Sequence, residues 1–213
     1  DSTLPVTMED MIHHTKAVTR ARPKALVVGD LPFLSYQVSV EDAVRNAGRL
    51  IQEAGADAVK LEGGAERVPV IAAIVGAGIP VMGHLGLTPQ SVLEFGGYRI
   101  QGRGEGAADR LVDAARAIEK AGCFSLVLEG IPATVAEKVS AAVSIPTFGI
   151  GAGSATDGQV LVIHDLVTFG GDSVPRFVRR YADLNSVVTD AARRFIADVR
   201  AGRYPSAAET YPE

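Results

Sequence analysis

The stretch "DAVKLEGG", residues 57–64, sets a lysine and a glutamate two residues apart in an otherwise aliphatic segment, and two glycines follow. Side chains alternate across a strand, so Lys60 and Glu62 share one face while Val59 and Leu61 take the other. The aliphatic face can pack beneath a helix. The charged face needs a reason to be there.

The same arrangement recurs along the chain. A helical segment closes on Ala-Gly or Gly, and a short apolar strand follows, in "LIQEAGADAVKLEGG" (50–64), "IVGAGIPVMGHLG" (74–86) and "IEKAGCFSLVLEG" (118–130). Glycine at a helix end is the usual left-handed cap. Short, continuous aliphatic strands are those covered on both faces. "ALVVGDLPF" (25–33) and "IPTFGIGAG" (145–153) extend the series, and "QVLVIHD" (159–165) reads as a sixth strand. Helical patterns are expected at about 40–54, 65–76, 106–121, 133–143, 175–182 and 184–201. Strand, helix, strand at this spacing means βα units in a parallel sheet.

The strand ends carry the chemistry. "VVGD" pairs Val28 with Asp30 on one face, "VKLE" pairs Lys60 with Glu62, "VMGH" pairs Met82 with His84, and "LVLE" pairs Val127 with Glu129. If these faces converge, three carboxylates, a lysine and a histidine meet at one end of a dry core. Unpaired charges there would cost several kcal/mol each. A divalent hard cation removes the difficulty, because carboxylates are the ligands Mg²⁺ prefers. A carboxylate left off the metal could then act as a base. Active-looking residues at strand C-termini favour a (β/α)₈ barrel, whose sites lie at that face, although six strands fall two short of the eight required.

Milder readings stand beside these. Asp30, before Leu-Pro, can be a turn cap. Lys60 and Glu62 can be a solvated pair on an edge strand, and His84 can be a satisfied core histidine. Cys123 reads as packing. "GIGAGSATDG" (149–158) lacks the spacing of a dinucleotide fingerprint and precedes a strand pattern rather than a helix. The glycine-rich segment 96–106 is either a lid over the site or a connector.

The whole chain bounds the alternatives. Its 213 residues, 47% hydrophobic and 22% charged, suffice for one sizeable core, so a single domain over 1–213 is expected. A net charge of −4 gives no basic footprint for nucleic acid. One cysteine excludes an internal disulfide framework and fits a reducing, cytoplasmic setting. No apolar run approaches the roughly 20 residues of a membrane span. The opening "DSTLPVTMED" shows neither region of a signal peptide and no initiator Met, as expected of a chain that lacks its true start.

Taken together, "GDLPF", "KLEGG", "GHLGLTPQSV", "GGYRIQGRG", "GIGAG" and "TDGQVLVIHD" resemble, in content and order, the ketopantoate hydroxymethyltransferase family. The resemblance implies a (β/α)₈ TIM barrel of the phosphoenolpyruvate mutase-like group. It also implies Mg²⁺, and transfer of a hydroxymethyl group from 5,10-methylenetetrahydrofolate to 3-methyl-2-oxobutanoate through a metal-stabilised enolate, giving 2-dehydropantoate for pantothenate and coenzyme A synthesis. By position in the motifs, Asp30 and Glu62 would hold the metal, Asp30, Lys60 and His84 would line the substrate pocket, and Glu129 would be the general base. In the family a preceding segment supplies the first two strands and a Val-Gly-Asp-Ser motif. That motif is absent from this chain, and Gly130 stands where relatives often carry a bulkier residue. The resemblance further implies a homo-oligomer, often a decameric ring, with the helix near 184–201 packing across a subunit boundary. Rival expectations are another Mg²⁺-dependent 2-oxo acid enolate enzyme of the same barrel group, or an inactive truncated assembly subunit.

Overall fold

The computed structural model describes residues 2–170 and 174–212. The chain divides into two compact units, Asp1–Val160 and Leu161–Glu213.

The first unit opens with helix α1 (Met8–Arg20), which the sequence reading did not anticipate. Its start is built from a capping box: the Thr7 hydroxyl accepts from the Asp10 N–H, and the Asp10 carboxylate accepts from the Thr7 N–H. Strand β1 (Val28–Asp30) and helix α2 (Val40–Gln52) follow, then β2 (Ala58–Glu62), α3 (Val68–Gly76) and β3 (Val81–Gly86). After β3 come a short helix α4 (Val92–Phe95), α5 (Ala107–Lys120), β4 (Ser125–Glu129), α6 (Ala133–Ala142), β5 (Thr147–Ile150) and β6 (Gly158–Gln159). All strands run parallel in the order β1-β2-β3-β4-β5-β6, a curled half-barrel with each neighbour reached through a helical crossover or loop.

Alternation along these strands sorts two populations. Val59, Leu61, Val81, Leu126 and Leu128 are fully buried and meet the inward faces of the helices, where Leu50, Ile74 and Ile118 are also fully buried. Gly83 lies on this face because an added Cβ would stand 2.6 Å from Ile118 Cδ1. The opposite face carries Asp30, Lys60, Met82 and Ser125 in one register row, and Glu62, His84 and Val127 in the next. Glu129 is aligned with Gly86 one step further on. The dry core is therefore made by the helix-facing side, and the polar strand ends lie on the other.

Two expectations are corrected. "QVLVIHD" is not a full strand: only Gly158 and Gln159 pair with β5, and Ile163–Val167 forms a short helix, α7, in the second unit. Among the described residues β6 has β5 as its one partner, so no second ladder there holds the rest of the run extended, and Val160, Val162 and Ile163 are about half exposed. The helix expected at 175–182 is also absent among the described residues. That segment makes a turn, with the Val178 N–H donating to Pro175 O, and then continues without regular structure to the start of the next helix. Its periodic apolar residues find no face to bury against, as Phe177 and Tyr181 are 40% and 67% exposed, and tertiary packing is what usually sustains so short a helix.

The second unit holds α8 (Leu184–Arg200), close to the expected 184–201. Asp183 caps it by accepting from the Ser186 N–H. No residue of α8 is buried, and its stripe of Val187, Val188, Phe195, Ile196 and Val199 is exposed.

Candidate active site

Asp30, Lys60, Glu62, His84 and Glu129 come together at the C-terminal ends of β1 to β4. The Lys60 ammonium lies 2.8 Å from Asp30 Oδ2 and 3.4 Å from His84 Nδ1. His84 Nδ1 is 3.7 Å from Glu62 Oε1, and its Nε2 is 3.3 Å from Glu129 Oε2. β2 sits between β1 and β3, and Glu62 is only 6% exposed, which removes the reading of a solvated pair on an edge strand. Asp30 is engaged with Lys60, not with a turn backbone.

The polarity of this cluster follows from its donors. An ammonium can only donate, so His84 Nδ1 accepts from Lys60 and the ring proton lies on Nε2. Among the described residues that Nε2, which is buried, makes no hydrogen bond of acceptable geometry, and Asp30 Oδ1 is likewise buried without a partner. The cluster thus presents one unspent donor and one unspent anionic acceptor. Burial acts to lower the Lys60 ammonium, but the charges of Asp30 and Glu62, its hydrogen bond to Asp30 and the more distant Glu129 outweigh it and hold the group above its ordinary value. Burial pushes Glu62 the other way for a carboxyl, upward, and this prevails over the opposing pull of His84, Lys60 and the Gln90 N–H.

The glycines after Glu62 have specific work. Gly63 has φ +121°, its N–H donates to His84 O, and an added Cβ would lie 2.5 Å from Glu66 Oε1 and 2.6 Å from Arg67 Cγ. Gly86 has φ +97°, and a Cβ there would collide with the Glu129 carbonyl, so a glycine lets β3 pass close to the strand end that bears Glu129.

Two residues that the sequence reading missed surround Glu62. The Gln90 backbone N–H donates to Glu62 Oε2 (2.9 Å), and the Tyr36 hydroxyl accepts from the Glu62 backbone N–H (3.1 Å). Burial raises the Tyr36 phenol well above its ordinary value, so it stays protonated. Gln90 lies inside the motif "GHLGLTPQSV", but neither residue is in a strand, so alternation gave no signal for them. Segment 96–106 is a loop tied to the exit of β4 through the Gln101 N–H and Gly130 O (2.9 Å), and Gln101 and Gly102 border a cavity of about 820 Å³ together with Gly63, Gly64 and Gly86. Cys123 is buried, with its thiol pushed up to about 12 by burial, consistent with packing and not with a nucleophile.

A bound Mg²⁺ requires hard oxygen donors. Asp30 and Glu62 offer hard oxygens from adjacent strands, and Asp30 Oδ1 is an orphaned buried anion. Among the described residues no three His, Cys, Asp or Glu side chains form a ready-made nest. Two carboxylates nevertheless suit Mg²⁺, which commonly keeps several waters and takes further oxygens from its substrate. The residues fit.

Glu62 also yields a signed expectation. In metal-free protein, Glu62→Gln retains an oxygen for the Gln90 N–H and removes the desolvated charge, so the thermal midpoint at pH 7 rises by a few degrees. Because folding raises the Glu62 value, the parent's contribution is most favourable below about pH 4.3 and declines as pH rises through the folded value. The gap between variant and parent opens across that window and closes beneath it. Calorimetry in chelator measures this; a lowered midpoint at pH 7 would show that the attraction of Lys60 exceeds the cost of burial.

The family model for ketopantoate hydroxymethyltransferase matches residues 1–207. The 3-methyl-2-oxobutanoate hydroxymethyltransferase of Geobacter metallireducens is 56% identical over 211 residues, covering 99% of this chain and 79% of that protein. The protein of the same name from Moorella thermoacetica is 58% identical over 204 residues, covering 96% and 76%. A crystal structure of phosphonopyruvate hydrolase superposes with a TM-score of 0.56 over 99% of this chain and 73% of that one, at 12% identity, a likeness of fold alone. No helix among the described residues is long and apolar enough to cross a membrane. With sequence agreement above one half along almost its full length, and the charged strand ends drawn together as described, the chain belongs to the ketopantoate hydroxymethyltransferase family of one-carbon-transfer enzymes.

Proposed function

We propose that this chain transfers a hydroxymethyl group from 5,10-methylenetetrahydrofolate to 3-methyl-2-oxobutanoate, giving 2-dehydropantoate, at a site in which Asp30 and Glu62 hold Mg²⁺. We further propose that it does so as part of a complete (β/α)₈ barrel in a homo-oligomer. The observation that carries the reading is the approach of Glu129 to the His84 Nε2–H, 3.3 Å apart, beside the carboxylates of Asp30 and Glu62.

The residues divide the work as follows. The unspent His84 Nε2–H and the Lys60 ammonium are placed to receive the substrate's carboxylate and 2-oxo oxygens, both of which accept hydrogen bonds. Glu129, 17% exposed at its side chain, takes the proton from C3 onto its carboxylate. Bound Mg²⁺ would supply Lewis-acid polarisation of the 2-oxo group. Water breaks the two methylene C–N bonds of the donor, its two protons passing to the folate nitrogens as tetrahydrofolate departs and its oxygen staying on the released one-carbon aldehyde. The C3 electron pair bonds to that carbon, its C=O π pair moves onto the oxygen, and this alkoxide takes the proton held by Glu129 to become the hydroxyl. Lys60, held 2.8 Å from Asp30, and His84, placed by its contact with Lys60, need little rearrangement as charge develops on the substrate oxygen.

The test is a paired assay. In D₂O with Mg²⁺, the protein should exchange the C3 hydrogen of 3-methyl-2-oxobutanoate without folate, and form 2-dehydropantoate only when the folate donor is added. Exchange without product on addition of the donor would point to another 2-oxo acid enzyme of this fold, and would overturn the assignment of the transfer.

A further inference from the structure

In a parallel ladder the hydrogen bonds are evenly spaced, and each residue that donates to the neighbouring strand receives a bond back two residues further along it. At the end of β1 the Leu31 N–H donates to Lys60 O (2.9 Å), so the next rung should run from the Glu62 N–H to Leu31 O. That rung is replaced. The Glu62 N–H donates instead to the Tyr36 hydroxyl (3.1 Å), and Leu31 O accepts instead from Gln90 Nε2 (2.8 Å).

The gap between the two backbone groups is closed by the side chains themselves. The Tyr36 hydroxyl donates its single proton to Gln90 Oε1 at 2.8 Å, in preference to Glu62 O at 3.2 Å. The chain of bonds therefore runs from the Glu62 N–H through the Tyr36 hydroxyl and the Gln90 amide to Leu31 O. The amide orientation is dictated by its partners: a carbonyl can only accept, so the nitrogen must face Leu31. Gln37 Nε2 fills the remaining lone pair of Gln90 Oε1 (3.2 Å), and the Gln90 backbone N–H binds Glu62 Oε2. Gln90 is 8% exposed and Tyr36 1%, and a network this well satisfied in a dry setting is stiff.

We infer that Tyr36 and Gln90 are positioning residues: they hold the strand ends of Asp30 and Glu62 one side-chain relay apart, where a direct ladder bond would draw them together, and so set the spacing at which the two carboxylates can share one cation. The inference rests on the reading of Asp30 and Glu62 as the Mg²⁺-holding pair. Gln90 also grips the Glu62 carboxylate itself, so one residue controls both the separation of the strand ends and the direction of one oxygen. Neither side chain touches substrate in this scheme.

The experiment compares the full chain with Gln90→Ala and Tyr36→Phe in two measurements. The first is titration calorimetry with Mg²⁺ alone. We expect affinity to fall about tenfold in Gln90→Ala and less in Tyr36→Phe, where the Gln90 N–H still holds Glu62, in line with other residues that orient metal ligands. The second is amide exchange by mass spectrometry on overlapping peptides, without metal. Exchange at Glu62 should accelerate at least tenfold in both variants while Val59, within the β2 ladder, is unchanged. Mg²⁺ affinity within twofold of the parent in both variants, with exchange accelerated and thermal midpoints lowered, would make the relay purely structural and overturn the inference. Unchanged exchange at Glu62 would overturn the relay itself. Were the parent to bind no Mg²⁺ while exchange still responded, the metal reading would fail and the relay would stand as a spacer of strand ends.

Discussion

Glu129→Gln should cut C3 hydrogen exchange of 3-methyl-2-oxobutanoate in D₂O by about a thousandfold, within the range a positioned general base contributes. The substitution is nearly isosteric. It keeps an oxygen beside His84 Nε2 and leaves the Asp30–Lys60 pair untouched, so substrate affinity should change little. The loss should therefore fall on kcat and leave KM almost unaltered, as for a group that acts only in the transition state. Exchange followed by proton NMR, with substrate binding measured separately, checks both halves. Exchange at the parental rate would remove Glu129 from the role of base.

A second large effect is expected at Lys60. Its ammonium faces Asp30, His84, Glu62 and Glu129 at once, so Lys60→Met removes the positive charge around which three carboxylates are gathered. Breaking a buried pair in this way costs about 3–5 kcal/mol, and the figure belongs lower, near 2 kcal/mol, because the Asp30 side chain is 38% exposed and screened by solvent. Folding holds the Lys60 value above its ordinary one, so its contribution is complete below about pH 10.4 and disappears as pH rises through the folded value. Parent and variant should accordingly converge in strongly alkaline solution. Mg²⁺ and the ammonium compete for the same carboxylate, so the variant should bind Mg²⁺ more tightly, while kcat/KM for the 2-oxo acid falls about a hundredfold with the loss of a charged hydrogen-bond donor. Weaker Mg²⁺ binding in Lys60→Met would contradict the competition, and unaltered kcat/KM would take Lys60 out of the substrate pocket.

The strand ends were legible because alternation is a strict rule. Once Val59 and Leu61 are assigned to the helix-facing side, Lys60 and Glu62 must share the other, and the parallel register then aligns Glu62 with His84 and Lys60 with Asp30. What escaped was everything that depends on partners. "QVLVIHD" has the composition of a strand, but composition cannot supply the second neighbour that would keep it extended. "PRFVRRYA" has a helical period and no surface to bury it on. Helix α1 rests on the Thr7–Asp10 capping box, a local signal present in the sequence but left unread. Tyr36 and Gln90 could not be found by periodicity, since each reaches Glu62 from a segment outside the strands, across 26 and 28 residues of chain.

The separation of the sheet's two faces has an evolutionary corollary. Leu61, Leu126 and Leu128 hold the helices in place without touching the reactive groups, and Lys60, Glu62 and Glu129 occupy intervening positions on the same strands. Selection can therefore rewrite the chemistry at every second residue while leaving the interdigitated aliphatic layer undisturbed. A scaffold partitioned in this way confines the stability cost of catalytic change to the polar strand ends, and lineages that share the fold can diverge in reaction while keeping the same architecture.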